Sequence, residues 1–126
     1  MLFDSMWIKN DILGSAMQAS VIRNDVISNN IANAETPGYK KKAVAFETYL
    51  RGEIDGYEKT GKINLRAAAP SIYIEDPNFF YRIDENNVDI ETEMVDLYEN
   101  SVKYDVLSSS IMNNYKRINL AITGIR

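Results

Sequence analysis

The chain of 126 residues contains no cysteine and no histidine. The first absence excludes a disulfide framework and thiol nucleophiles, and leaves the redox compartment open. The second excludes imidazole general bases; together they exclude zinc sites of ordinary composition. No apolar run approaches the roughly 20 residues that a membrane span requires. The opening Met1–Trp7 lacks the basic segment, continuous apolar run and small-residue cleavage site of a secretory signal. The expected route out of the cytoplasm, if there is one, therefore needs no cleaved signal. A net charge of −4, with both signs spread along the chain, argues against a nucleic-acid partner, which selects a basic face. The isolated glycines form no phosphate-binding loop, and no catalytic constellation, cofactor site or metal site is legible. The expectation is a protein that is not an enzyme.

What is present is helical period at both ends. From Ile8 a 4-3 spacing runs through Ile12, Ser15, Ala19, Ile22, Val26, Asn29 and Asn33. This predicts an amphipathic helix with a coiled-coil-like seam and small residues in its middle. Leu13, Met17 and Val21 lie off that seam. They belong either to a wider stripe facing one core or to the contact with a further neighbour. A second and longer pattern runs through Ile90, Met94, Leu97, Ser101, Tyr104, Ser108, Ile111, Tyr115, Ile118, Ile122 and Ile125. It predicts a helix about 50 Å long at ~1.5 Å per residue. Asp89 is placed to cap its start, and Glu91 and Glu93 suit its first turn. Val95, Tyr98, Val102 and Val106 form an extra apolar flank.

Between the two helices the period fails. Thr36-Pro37-Gly38-Tyr39 predicts a helix stop near Asn33 and a type II turn, with Gly38 taking positive φ. Phe46–Leu50 reads as a short turn or helix, and Gly52–Gly61 as a polar, mobile stretch. Ile72–Ile74 and Phe79–Tyr81 read as short strands between turn signals. Lys40-Lys41-Lys42 reads as a solvated basic run, and Glu91, Glu93, Asp96 and Glu99 as a dipole complement and solvated face. Glu93, Asp96 and Glu99, three apart on one helix face, are also placed to form salt bridges across a subunit contact.

The predicted fold is mainly α: two long terminal helices form an antiparallel coiled-coil hairpin around an irregular middle section with short β-strands. Residues 1–38 supply the first helix and turn, 39–87 the middle section, and 88–126 the second helix. Two helices make a thin core, so order is expected to come with assembly. The expected helix and subunit contacts are Ile8, Ile12, Ala19, Ile22 and Val26, with Ile90, Met94, Leu97, Tyr104, Ile111, Tyr115, Ile118 and Ile122.

The stretch Asn29-Asn30-Ile31-Ala32-Asn33-Ala34-Glu35-Thr36-Pro37-Gly38-Tyr39-Lys40 resembles the N-terminal signature of the bacterial flagellar basal-body rod family. Its marks are Asn30, Asn33 and the turn Thr36, Pro37, Gly38, Tyr39. Phe46–Leu50 and Asn87–Met94, followed by Glu99, Asn100 and Tyr104, are similar to further parts of that family, most of all its proximal rod members. Arg51–Tyr81 matches poorly, and Glu85 stands where the family more often has glycine. The resemblance implies a structural subunit of the rod that transmits torque for motility, located within the cell envelope. It implies export by the flagellar type III apparatus, with Phe46 and Leu50 as a recognition pair. The implied partners are copies of the chain itself and other rod and ring-adaptor proteins. Another rod component such as FlgC, or a soluble helical adaptor or chaperone of the export system, is the alternative.

Overall fold

A computed structural model describes residues 2–76, 78 and 82–124 of the chain. The predicted strand at Phe79–Tyr81 and the seam position Ile125 lie outside the described residues. The elements in order are α1 (Leu2–Ala32), β1 (Lys42–Ala45), α2 (Glu47–Thr60), β2 (Ser71–Ile74) and α3 (Ile90–Thr123).

The two terminal helices pack as an antiparallel hairpin. Asn30 meets Glu93, Ser20 meets Asn100 and Asn10 meets Asn114, so one number rises as the other falls. No helix among the described residues is long and apolar enough to cross a membrane. α1 tightens as it ends: Asn33 N–H reaches Asn29 C=O at 3.1 Å, and Ala34 N–H reaches Ile31 C=O at 3.2 Å. The type II turn follows, with Gly38 at φ 71° and Tyr39 N–H on Thr36 C=O at 3.3 Å. Asn33 keeps negative φ; the left-handed residue is Gly38. α3 starts as expected. Asp89 is extended, and its carboxylate accepts from Glu91 N–H at 3.1 Å and Thr92 Oγ1 at 3.0 Å.

β1 and β2 form a two-stranded antiparallel sheet, Lys42 opposite Ile74 and Ala45 opposite Ser71. β2 covers the strand expected at Ile72–Ile74, whereas β1 had been hidden in the basic run. The stretch Gly52–Gly61 is a correction. It is not a mobile linker: α2 runs through it and stops at Gly61, which takes φ 66° and donates to Tyr57 C=O at 2.8 Å. Glu47/Arg51 and Asp55/Lys59 are four-apart charge pairs that favour a helix locally. Gly52 and Gly56 each cost about 1 kcal/mol relative to alanine but do not break it.

The buried apolar residues Ala19, Val26, Ile27, Ala34, Val44, Phe46, Ala68 and Val88 collect where the end of α1 meets the sheet and the start of α3. Among the described residues, α1 before Ala19 buries only Asn10 fully. The core therefore sits at one end of the hairpin, around the signature turn.

Candidate functional site: the asparagine joint and the α3 face

Asn30 is completely buried at that end. Glu75 N–H donates to Lys41 C=O at 2.9 Å, so alternation turns the backbone groups of Lys42 away from β2. Asn30 meets both of them. Its Oδ1 accepts from Lys42 N–H at 3.0 Å and its Nδ2 donates to Lys42 C=O at 2.8 Å. The side-chain amide stands where the next strand would be. Asn30 Nδ2 also donates to Glu93 Oε2 at 2.9 Å, and Tyr39 O–H donates to Asn30 Oδ1 at 3.0 Å.

Asn87 works the same way one residue earlier. Its Oδ1 accepts from Lys41 N–H at 2.6 Å and its Nδ2 donates to Glu75 C=O at 3.0 Å, replacing a ladder bond. Asn86, fully buried, closes the end of α1. Its Nδ2 lies 3.1, 3.0 and 2.8 Å from the carbonyls of Asn33, Ala34 and Thr36, and its Oδ1 accepts from Val88 N–H at 2.8 Å. Carbonyls at a helix end need such donors. Three amides thus lock the turn, the sheet and the entry of α3 together.

One charge is sealed inside this joint. Glu93 is completely buried, with Oε1 2.7 Å from the Lys41 ammonium; Glu75 lies 3.3 Å from the same ammonium. Burial alone would lower the Lys41 pKa, but the hydrogen bond and charge of Glu93, helped by Glu75, outweigh it and raise it. Burial first, and the Glu93 charge second, raise the Tyr39 phenol and keep it a neutral donor. This corrects two expectations: Lys41 is not part of a solvated run, and Glu93 is not on a solvated face. The sequence shows that Glu93 suits a first turn but not that it meets Asn30 across the chain.

The expected residues distribute as follows. Asn30 is buried, Asn33 and Tyr39 are half-buried, and Thr36, Pro37 and Gly38 are exposed around the turn. The buried amide is Asn30, not the seam residue Asn29, which is exposed and whose side chain donates to Asp25 C=O within its own helix. On α1, Ala19 and Val26 are buried and Ile8, Ile12 and Ile22 half-buried. On α3 the face toward α1 carries Glu93, Asn100 and Asn114, spaced by one and then two seven-residue repeats. Leu97, Ile111 and Ile118 are half-buried, while Ile90, Met94, Tyr104, Tyr115 and Ile122 are exposed. With Val95, Tyr98, Val102 and Val106 they leave α3 with a long uncovered apolar surface. Phe46 is 2% exposed at the start of α2, and Leu50 is half-buried. Asn86, Asn87, Lys41 and Glu93 are the residues of the joint that helical spacing missed; the available signal for the first two was a second Asn-Asn pair just before the cap at Asp89. Among the described residues no group of His, Cys, Asp and Glu could hold a metal ion.

Residues 11–40 match the family model described as "Flagella basal body rod protein". Over 118 residues the chain is 31% identical to the flagellar basal body rod protein FlgB of Bacillus subtilis (strain 168), covering 89% of this chain and 91% of that one. It is 32% identical to the FlgB of Cereibacter sphaeroides over 127 residues, covering 92% and 94%. Against the FlgB of Salmonella typhimurium it is 30% identical over 104 residues, covering 72% and 75%. The matched family region ends in the turn that Asn30 and Asn86 lock, and the relatives extend the likeness across both long helices: the chain belongs to the FlgB family of flagellar basal body rod proteins.

Proposed function

We propose that the chain is a structural subunit of the proximal rod of the bacterial flagellum, joining neighbours through its terminal helices into a torque-transmitting shaft. The observation that carries this reading is the apolar surface of α3. Met94 is 61% exposed, Tyr98 72% and Leu120 70% on one long helix whose inner face is already occupied by α1. A surface of that kind marks an interaction site. A subunit in a tube touches several neighbours, so it needs more apolar surface than one partner covers. Copies of the chain and other rod and ring-adaptor proteins are the partners in this reading, and the site of action is the rod within the cell envelope. The role calls for no cofactor and no catalysis. Delivery is by the flagellar type III export apparatus without a cleaved signal.

Phe46 and Leu50 fit the export step only in an unfolded chain, because folding buries the ring of Phe46. The hairpin away from the joint, with few buried apolar residues, gains order as neighbours pack on it. Met94→Asp tests the reading. Met94 is exposed, so the isolated chain should keep its melting temperature to within the shift expected of about 0.5 kcal/mol. Cells that depend on this chain should export the variant but build no rod and not swim. Normal motility would sink the proposed role of this face.

A further inference from the structure

Among the described residues, the two that the 34-residue α3 buries fully are polar, Glu93 and Asn100. Met94, Val95, Tyr98, Val102, Val106 and Met112 stay exposed on the same helix. Seven-residue steps from Glu93 lead to Asn100, Leu107 and Asn114, so this row of the inner face is polar at all places but Leu107. The row meets α1 in three rungs. Asn30 Nδ2 donates to Glu93 Oε2 at 2.9 Å, Asn100 Nδ2 donates to Ser20 C=O at 2.8 Å, and Asn114 Nδ2 donates to Asn10 Oδ1 at 2.9 Å.

These bonds leave the two rungs beyond the joint unsatisfied. Asn10 Nδ2, Ser20 Oγ and Asn100 Oδ1 are buried and have no hydrogen-bond partner among the described residues. Each such group is costly, whereas leucine in the same place would bury carbon and leave nothing unpaired. A seam selected for stability alone would be apolar, as is the neighbouring row Leu97, Tyr104, Ile111 and Ile118. What polar rungs add is discrimination between partners and registers. The outer face of another copy's α3, laid on α1, would cover Asn10 and Ser20 with the carbon of residues such as Tyr98 and Val102. An α3 displaced by seven residues would keep the apolar row in phase but set Asn10 against Leu107 or Ala121. Either arrangement strands the amide.

We propose that the rungs at Asn10–Asn114 and Ser20–Asn100 reserve the α1 seam for the inner face of α3 in this one register, and bar from it the apolar outer faces that other copies present. The inference rests on the rod-subunit reading for its setting, a crowd of copies with exposed apolar helices, but the selectivity itself is read on the purified chain. It makes the two faces of α3 chemically distinct: an amide face that closes the subunit and an apolar face left for neighbours.

The test makes the rungs apolar in the full chain. Asn10→Leu/Asn114→Leu should keep or raise the melting temperature and at least double the weight-average mass in sedimentation at equal concentration. Asn100→Leu, at the other rung, should do the same, and it decides the matter if the double variant fails to fold. Asn114→Ala removes a rung without adding apolar reach, so it should lower the melting temperature with no gain in mass. Leucine variants with the mass of wild type would overturn the proposal. So would leucine variants that melt as low as Asn114→Ala, since the rungs would then be ordinary stabilising bonds. In cells that depend on this chain, the leucine variants should assemble at least tenfold fewer rods, and unchanged rod number also overturns it. If the wild-type chain enters no rod at all, the structural-subunit reading fails instead, and sedimentation still decides the role of the seam.

Discussion

Replacing Asn30 by alanine should cost more than its size suggests. The side chain is fully buried and makes four hydrogen bonds: two with the Lys42 backbone, one with the Tyr39 hydroxyl and one with the Glu93 carboxylate. Three are neutral, worth about 1 kcal/mol each, and the fourth is charge-assisted, worth about 2 kcal/mol. They share one residue and are not additive, so the expected loss is about 3–5 kcal/mol. The whole stability of a domain is about 5–15 kcal/mol, and this chain has a small core. Asn30→Ala should therefore leave the joint largely unfolded near room temperature. Urea unfolding followed by far-ultraviolet circular dichroism measures it, with Asn29→Ala as the control. The Asn29 side chain is exposed and donates locally to Asp25 C=O, so the control should lie within about 0.5 kcal/mol of wild type. If Asn30→Ala also lay within 1 kcal/mol, on the scale of a single net hydrogen bond, the amide would not be the lock described above.

Glu85 holds φ 63° where side chains are strained, and the left-handed region costs a non-glycine residue at least about 1 kcal/mol. Glu85→Gly should raise the urea midpoint modestly, whereas Glu85→Val should lower it. Glu47 is subject to burial, which pushes its carboxyl up, but hydrogen bonds from Arg23 and Lys103 win and hold it at about 2. Its folded pKa is depressed, so its contribution is complete above the ordinary 4.5 and disappears as pH falls through about 2. The side chain is 52% exposed, so that contribution is at most about 1 kcal/mol. Glu47→Gln should thus differ from wild type at pH 7 and converge with it near pH 2, read by thermal melts. Phe46→Ala should lower stability by about 3–5 kcal/mol because the ring is buried. If Phe46 also serves export, secretion of the variant should fall as well; unchanged secretion would remove that role.

Both long helices were legible because a period held over many residues leaves few alternatives. The turn was legible because Pro37 and Gly38 each restrict the backbone. α2 was not, since it buries no residue and carries two glycines, so neither core pattern nor composition marked it. β1 was hidden because Lys42 and its neighbours look like a charged loop until Asn30 and Glu75 are placed beside them. The polar rungs of the α3 inner face were not legible for a related reason. Spacing rewards apolar residues, but Glu93, Asn100 and Asn114 supply hydrogen bonds to α1, while several of the larger apolar residues face outward. Polar rungs are read from partners distant in the chain, and a single sequence does not supply them.

The pairing of Ala45 with Ser71 has a consequence for how such a chain can vary. Residues 46–70, α2 among them, leave the sheet and return to it at neighbouring positions. Closing a loop becomes only about 0.6 kcal/mol harder each time its length doubles. The excursion from Thr48 to Ala67 can therefore be shortened, extended or exchanged at small entropic cost, provided Phe46 and Ala68 still seal its base. The asparagine joint beneath would not register the change, which makes this strand pair the natural place to graft a new module onto the subunit.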